Sequence, residues 1–440
     1  MTGGQRRLEP GSRRLAVVGE CDVAVIGGGT AGVSAAVTAA RSGARTVLVE
    51  RQAYLGGMGT GGMVGTFCGL YAGGPEKPPI PMRFAADVLH RLTERGGCGT
   101  VDIRKTRVVH YDIGGLKQVL DELAVESGAT LLLHTLVTGV LADARGVHGV
   151  VVDNVEDHGV LRASQLIDAS GNADVVHWAT GRTEQGGEAG ETQPSTLVFR
   201  MAAVDLDATG IVSRDRFREL AERAGAEGYA LPRTDGYFFA TTHPGEVNCN
   251  MTRVTGLDLT RAAEATEAEI VARRQVQEYA RFLRDRVPGF EKSYLSFYGS
   301  TLGIRETRRI VGEYVVTAED LLAARTFPDG VAYAAWPMEI HRPDGALWRW
   351  LPDDRWMEIP HRALLPLGLA NVQAAGRCIS TTHEALGSTR VMGTAMSVGE
   401  AVGLAAAWAA QRGVTLRDLP MADLRSALMA YRAEAPRSRP

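Results

Sequence analysis

From Asp22 the chain reads Asp-Val-Ala-Val-Ile-Gly-Gly-Gly-Thr-Ala-Gly, and Glu50 closes the apolar run Thr46-Val47-Leu48-Val49. Residues 23–26 form a short β-branched run suited to a parallel strand buried on both faces. Gly27, Gly29 and Gly32 then spell G-x-G-x-x-G. The first permits a tight turn, the second lets a pyrophosphate approach bare backbone, and the third brings helix and strand close together. The small, helix-compatible residues 33–41 follow, so free N-terminal N–H groups of a helix face the phosphates. Glu50, 23 residues after Gly27, stands where an acid accepts hydrogen bonds from ribose hydroxyls. A glycine-rich turn alone is weak evidence. Strand, turn, helix, second strand and terminal acid in this order predict a βαβ unit that holds the ADP part of a dinucleotide.

At 440 residues the chain is long for one core, which predicts two intimately joined domains. A hydrophobic share of 45%, a charged share of 22% and a net charge of −3 are ordinary for a soluble globular protein and give no basic surface for nucleic acid. The five cysteines are scattered without C-x-x-C or metal-ligand spacing. That pattern predicts no metal site and no disulfide-reductase chemistry, and it fits a reducing, cytoplasmic setting. Arg6-Arg7 and Arg13-Arg14 precede only a short apolar run, so residues 1–20 read as a disordered polar tail rather than an export signal. The apolar stretch 391–410 carries Glu400 at its middle, where membrane insertion costs roughly 2.5–3.5 kcal/mol or more. A buried helix of a soluble protein is the better reading, and no membrane partner is expected.

Further along, residues 55–63 are too glycine-rich for regular structure and suit backbone passing close over a flat ligand. Residues 75–81, with four prolines, form a loop. Leu116, Val119, Leu120, Leu123 and Ala124 recur at helical spacing and lead into a strand at 131–134. The segments 147–152 and 160–167 read as an antiparallel hairpin, and 166–171 as a central strand entering a ligand-facing turn. From 172 to 355 the texture changes to mixed strands and loops, with a long helix over 261–286 stopped by Pro288-Gly289. The expected plan is an α/β chain: a Rossmann-like nucleotide domain with parallel sheet and β-meander from 21–171 and 356–435, and an inserted α+β substrate or cap domain at 172–355.

Four stations together, 27–50, 56–62, 168–174 and 375–407, resemble the FAD-dependent oxidoreductase family of the glutathione-reductase and succinate-dehydrogenase structural group. Most specific is Ala-Gly-Arg-Cys-Ile-Ser-Thr-Thr-His-Glu-Ala-Leu-Gly-Ser-Thr-Arg-Val-Met-Gly-Thr-Ala-Met at 375–396, which looks like that family's C-terminal flavin motif; Gly303-Ile304-Arg305-Glu306-Thr307-Arg308-Arg309-Ile310 is similar to its interdomain segment. The chain departs from the pattern at Ala173, where the group more often has glycine. The resemblance implies FAD as cofactor. It places the ADP end on Gly27, Gly29, Thr30, Ala31, Gly32, Glu50 and Arg51, with further cofactor contacts at Gly57, Met58, Gly59, Thr60, Val137, Ser170, Gly171, Gly376, Arg377, Gly387, Arg390, Val391 and Thr394. The turn and helix at 387–394 would aim a positive dipole end at the flavin pyrimidine, worth ~0.3–2 kcal/mol.

Because a flavin carries the hydride chemistry, protein groups need only orient a substrate and move a proton. His383, inside the flavin motif, is the first candidate for a proton-handling or flavin-contacting residue, against a role capping its loop. Arg390 could face the flavin or a substrate carboxylate, or brace its own loop. Arg305, Arg308 and Arg309 suit bidentate carboxylate capture, with a structural ion pair to Glu306 or Glu313 as the alternative. Trp336, Trp348, Trp350 and Trp356 crowd together with His341, either as an aromatic wall over the flavin or as hairpin core. The expected activity is a dehydrogenase or oxidase acting on a small organic molecule, with oxygen or a soluble carrier as electron acceptor and a homo-oligomer left open. Monooxygenation driven by NAD(P)H would need a second nucleotide fingerprint, and none is apparent; a purely structural FAD is the third reading.

Overall fold

The computed structural model describes residues 15–143, 146–210, 212–342 and 345–436. A seven-stranded sheet organises the larger part of it. Its order is Thr130–Leu132, Thr46–Val49, Ala16–Ile26, His158–Asp168, Gly146–Asp153 and Leu136–Asp143, with Val372–Ala374 also paired to His158–Asp168. The strands at 130–132, 46–49, 16–26, 158–168 and 372–374 run parallel, whereas 136–143, 146–153 and 158–168 form an antiparallel meander.

The two expectations for residues 160–171 merge into one element. A single strand, His158–Asp168, uses its first half to pair with 146–153 and its last residues to pair with 372–374. Asn371 seals the junction: its Nδ2 donates to Val147 O at 2.7 Å and Ser164 O at 3.0 Å, while its Oδ1 accepts from Val147 N at 3.0 Å. The same long strand corrects the expected tail. Residues 1–14 lie outside the described residues, but from Ala16 the chain is already strand, because His158–Asp168 offers a parallel ladder out to Gly159. Residues 16–20 are therefore strand rather than tail.

The fingerprint helix is Thr30–Arg41, and the predicted helices near 116–124 and 261–286 are Ile113–Glu126 and Ala262–Arg286. The apolar stretch forms the helix Met392–Arg412, buried along most of its length. Glu400 at its middle is fully buried, accepting from Phe84 N at 2.7 Å and pairing with Arg432 Nε at 2.9 Å. Among the described residues no single helix is long and apolar enough to cross a membrane; His383–Thr389 and Met392–Arg412 reach the length only as a pair bent by 87°. Small residues bring the 30–41 and 392–412 helices together. A Cβ on Gly399 would lie 2.4 Å from Ala31 O, and one on Gly403 2.4 Å from Ala35 O, so neither site admits a larger residue without the backbones separating.

A second hydrophobic core draws only on residues between Leu197 and Leu302. It is built on an antiparallel sheet ordered Tyr237–Ala240, Val247–Asn250, Phe199–Ala202 and Tyr294–Tyr298, covered by the helices Arg214–Ala226 and Ala262–Arg286. Val175, Ile310, Val316, Leu321, Val331, Met338 and Ile340 belong instead to the larger core. The stretch 172–355 therefore contributes to both cores.

Candidate functional site

The three fingerprint glycines do different work. Gly27 holds φ +105°, and a Cβ there would meet Ala169 O at 2.4 Å; a Cβ on Gly32 would lie 1.8 Å from Gly27 O. Both are required by the protein's own packing. Gly29 has extended backbone and nothing within 4 Å of its Cβ position, so its missing side chain leaves a space that the protein does not fill. The helix starting at Thr30 has Gly29 as N-cap and no side-chain cap, which leaves its first-turn N–H groups available to an anion. Ala31 lies against Gly376 and Gly399 and is committed to helix packing. Glu50 accepts from Gly28 N at 2.6 Å and Gln52 N at 2.8 Å, bracing the turn while keeping lone pairs for further donors. Arg51, directly after it, is exposed.

The glycine loop closes over this turn. Gly56 N donates to Gly28 O at 2.8 Å, and a Cβ on Gly57 would stand 3.0 Å from Gly29 Cα. Gly59 is pinned by Tyr111, whose hydroxyl donates to its carbonyl at 2.9 Å. Thr60 turns inward to donate to Leu55 O at 2.6 Å, whereas Met58 is half-buried. Thr135 N donates to Glu50 O at 3.1 Å, which brings the start of the 136–143 strand, with half-buried Val137, alongside the acid.

At the third station, the Ser170 hydroxyl donates to Asp168 at 2.7 Å and accepts from Asp174 N at 3.0 Å, so it braces the turn. Gly171, at φ +78°, lies under the Arg377 guanidinium; a Cβ there would be 2.8 Å from Nη1. Arg377 donates to Asn172 Oδ1 at 2.8 Å, its Nε is buried without a partner, and burial pushes its pKa down to about 10. Ala173 takes φ +55°, the left-handed conformation that explains why a glycine is usual at this point.

The last station meets the strand Met338–Arg342. Alternation puts Met338 and Ile340 into the core and Glu339 and His341 on the opposite face. A Cβ on Gly387 would lie 2.8 Å from Glu339 O, so this glycine lets the helix His383–Thr389 back onto the strand. Val391 is the N-cap of the 392–412 helix with no side-chain cap, and Thr394 is buried with its hydroxyl turned toward Ser388 O. Glu339 accepts from Trp336 Nε1 at 2.9 Å and faces His341 Nε2 at 3.1 Å, and Arg390 Nη2 donates to Glu339 O at 3.3 Å. Arg305 donates through Nη1 to Pro194 O at 2.6 Å and Thr196 Oγ1 at 2.7 Å.

Burial opposes ionisation of Glu339, but His341, Arg390 and Trp336 outweigh it and hold the carboxyl well below its usual range. Burial, then the nearby Arg305 charge, pushes His341 down to about 3. Burial and then Arg390 push Arg305 well below its usual value. Two guanidiniums, one carboxylate and one neutral imidazole thus share a poorly solvated cluster. His341 Nδ1 and Arg390 Nε are buried there without partners. Burial raises the neighbouring Cys68 thiol to about 12.

The other sequence candidates divide. His383 Nδ1 faces Glu306 Oε2 at 2.8 Å; burial works against its protonation, and the Glu306 bond more than offsets this. Glu306 also binds Arg309 and accepts from Gln193 N at 2.8 Å, so His383 sits in an internal charge network. Arg308 pairs with Asp174. The structural alternative therefore holds for Arg308 and Arg309, while Arg305 reaches the cluster. The tryptophans form hairpin core: Trp336 and Trp348 pack edge to face at 5.8 Å and Trp348 stacks on Trp350 at 6.1 Å, although the Trp336 indole also binds Glu339. Glu339 and Gln193 were missed, whereas Glu306 is the ion-pair partner the sequence offered. For Glu339 the signal was present, since it shares a strand face with His341 at i, i+2.

No group of three or more His, Cys, Asp or Glu that could hold a metal occurs among the described residues, and all five cysteines are free. The open space at Gly29, the uncapped helix and the orphaned nitrogens of Arg377 and Arg390 fit a dinucleotide cofactor that extends from the first βαβ unit toward residues 387–394.

Comparison with known proteins agrees. The model of a family described as FAD dependent oxidoreductase matches residues 22–428. A thiamine thiazole synthase of Aeropyrum pernix is 31% identical over 243 residues, 51% of this chain and 80% of that protein. Among solved structures, p-nitrophenol 4-monooxygenase PnpA from Pseudomonas putida DLL-E4 aligns with TM-score 0.47 and 13% identity over 95% of this chain and 88% of that one. L-proline dehydrogenase from P. horikoshii aligns with TM-score 0.44 and 14% identity over 95% and 100%.

Proposed function

The chain belongs to the FAD-dependent oxidoreductase family, and from that premise we propose that it is a dehydrogenase or oxidase acting on a small carboxylate-bearing metabolite. The observation that carries the reading is the half-buried cluster of Arg305 and Arg390 around one carboxylate, Glu339. Guanidiniums outnumber the acid there, with Arg233 and Arg253 also acting on Arg305, and an anionic substrate offsets that excess in a poorly solvated place. FAD supplies the hydride acceptor. The 30–41 helix N-terminus and Gly29 would hold its pyrophosphate, Glu50 its ribose, and Arg377 the backbone of the third station. Arg305 orients the substrate carboxylate. Oxygen or a soluble carrier takes the electrons onward, and five free cysteines support a cytoplasmic setting.

Anaerobic mixing of the FAD-loaded protein with small acids, amines and alcohols tests this directly. Carboxylates should bleach the flavin, and Arg305→Ala should weaken the productive acid at least tenfold, about 1.4 kcal/mol. Bleaching confined to uncharged molecules, or a protein that takes up no FAD, would overturn it. The likeness to a synthase supports a second reading, in which the bound flavin is not turned over; its signature is FAD that no acid bleaches in a protein whose Tm a ligand still raises.

A further inference from the structure

The Glu339–His341 pair has a polarity that neither residue would have alone. Glu339 is an ionised acceptor, and one of its oxygens stands 3.1 Å from His341 Nε2. An ionised carboxylate only accepts, so this contact favours a proton on Nε2 and a lone pair on the other ring nitrogen. That nitrogen, Nδ1, is the buried atom without a partner. Trp336 donates to the second Glu339 oxygen at 2.9 Å, which keeps the carboxylate ionised and aimed. The charged groups that act on His341 are Arg305, Glu339 and Arg390. Burial first, and then the two cations, keep the imidazole neutral despite Glu339.

We propose that His341 is the proton acceptor of the reaction, with Glu339 fixing its tautomer, and that the substrate is a 2-hydroxy acid. This rests on the carboxylate reading above. Arg305 and Arg390 both act on His341, so an anion seated on them brings an adjacent hydroxyl close to the bare Nδ1. The charge balance selects the class. With neutral His341 the guanidiniums outnumber Glu339, since Arg233 and Arg253 also act on Arg305, and a hydroxy acid, as a monoanion, lowers that excess. An amino acid zwitterion would leave the excess and set an ammonium beside two guanidiniums. In the step, the O–H proton passes to His341 Nδ1 as the carbon bearing the hydroxyl gives up its hydride, for which FAD would be the acceptor. A carbon–oxygen double bond forms, and the product is a 2-oxo acid. After burial, the Arg305 charge is the next cause that lowers His341, and the substrate carboxylate offsets that part.

Two measurements on FAD-loaded protein test the proposal. In 15N-histidine spectra, the resonances lost in His341→Gln should show a protonated Nε2 and an unprotonated Nδ1 at neutral pH, and the Nδ1 signal should move on addition of a 2-oxo acid. A proton on Nδ1, or a doubly protonated ring, overturns the assignment. In anaerobic flavin reduction, 2-hydroxy acids should bleach the flavin while the matching amino acids do not. His341→Gln should slow reduction by about 10²–10⁴-fold with 2-oxo acid affinity little changed, and the residual rate should climb with pH as hydroxide replaces the base. Should His341→Gln not fold, Glu339→Gln takes its place and should slow reduction while shifting the imidazole tautomer. Bleaching by amino acids alone, or undiminished reduction in these variants, sinks this inference and leaves the carboxylate reading standing. Bleaching by no acid at all sinks both.

Discussion

At the scale of single residues, the fingerprint glycines separate what the fold needs from what the ligand needs. Gly32→Ala would drive a Cβ to 1.8 Å from Gly27 O and should yield no folded protein. Gly29→Ala meets nothing within 4 Å and needs no unusual backbone. Its apo stability should stay within about 0.5 kcal/mol of wild type, while FAD affinity falls at least tenfold, about 1.4 kcal/mol. Calorimetric melting of the apoprotein and an FAD titration check both halves, and an apo form that melts much earlier would mean Gly29 is structural after all. Ala173 is the converse case. Its left-handed backbone costs an L-residue about 1–2 kcal/mol, and glycine gives up about 0.5–1 kcal/mol in entropy. Ala173→Gly should therefore stabilise the protein by roughly 0.5–1 kcal/mol in urea unfolding, and a loss of stability would show that the strain is relieved elsewhere.

At the scale of elements, the Met392–Arg412 helix is held by backbone proximity and by one buried charge. Glu400 joins three elements, through Phe84 N of the helix Arg83–Glu94 and the Arg432 guanidinium of the helix Met421–Ala433. Glu400→Ala would leave Arg432 uncompensated where its side chain is 5% exposed, at a cost of about 3–5 kcal/mol. Denaturant unfolding measures this. A loss below about 1 kcal/mol would mean that Arg432 escapes to solvent instead. The same helix illustrates how an apolar run with a central acid reads as soluble core: the acid is there to receive a helix N-terminus and a partner cation.

At the scale of the whole molecule, two large hydrophobic cores share one chain with a smaller cluster around Trp336, and no tryptophan reports on the second core. All six tryptophans lie outside residues 197–302, whereas Phe217 sits at the centre of the second core, edge-on to Tyr237, Phe238 and Phe282. Phe217→Ala should cost that core about 3–5 kcal/mol. Far-ultraviolet dichroism should then gain an early transition while the tryptophan fluorescence midpoint stays in place. Coincident shifts of both probes would show that the cores unfold as one unit.

Local order carried much of this protein. The Asp22–Glu50 pattern specified the βαβ unit because strand, turn and helix there are set by neighbours in sequence, and periodicity located the long helices for the same reason. Reading the 375–396 motif as a flavin station rested on likeness to a family. Tertiary structure alone decided which charges are spent and which are free. Arg305, Arg308 and Arg309 look alike in a line of text, but Asp174 arrives from far along the chain to occupy Arg308, while Glu306, three residues away, occupies Arg309. Glu339 became visible as the partner of His341 only when the strand turned both toward Arg305 and Arg390. Burial and opposing charge depend on what the chain brings together across hundreds of residues, and these set whether an ionisable group braces the fold or faces a substrate.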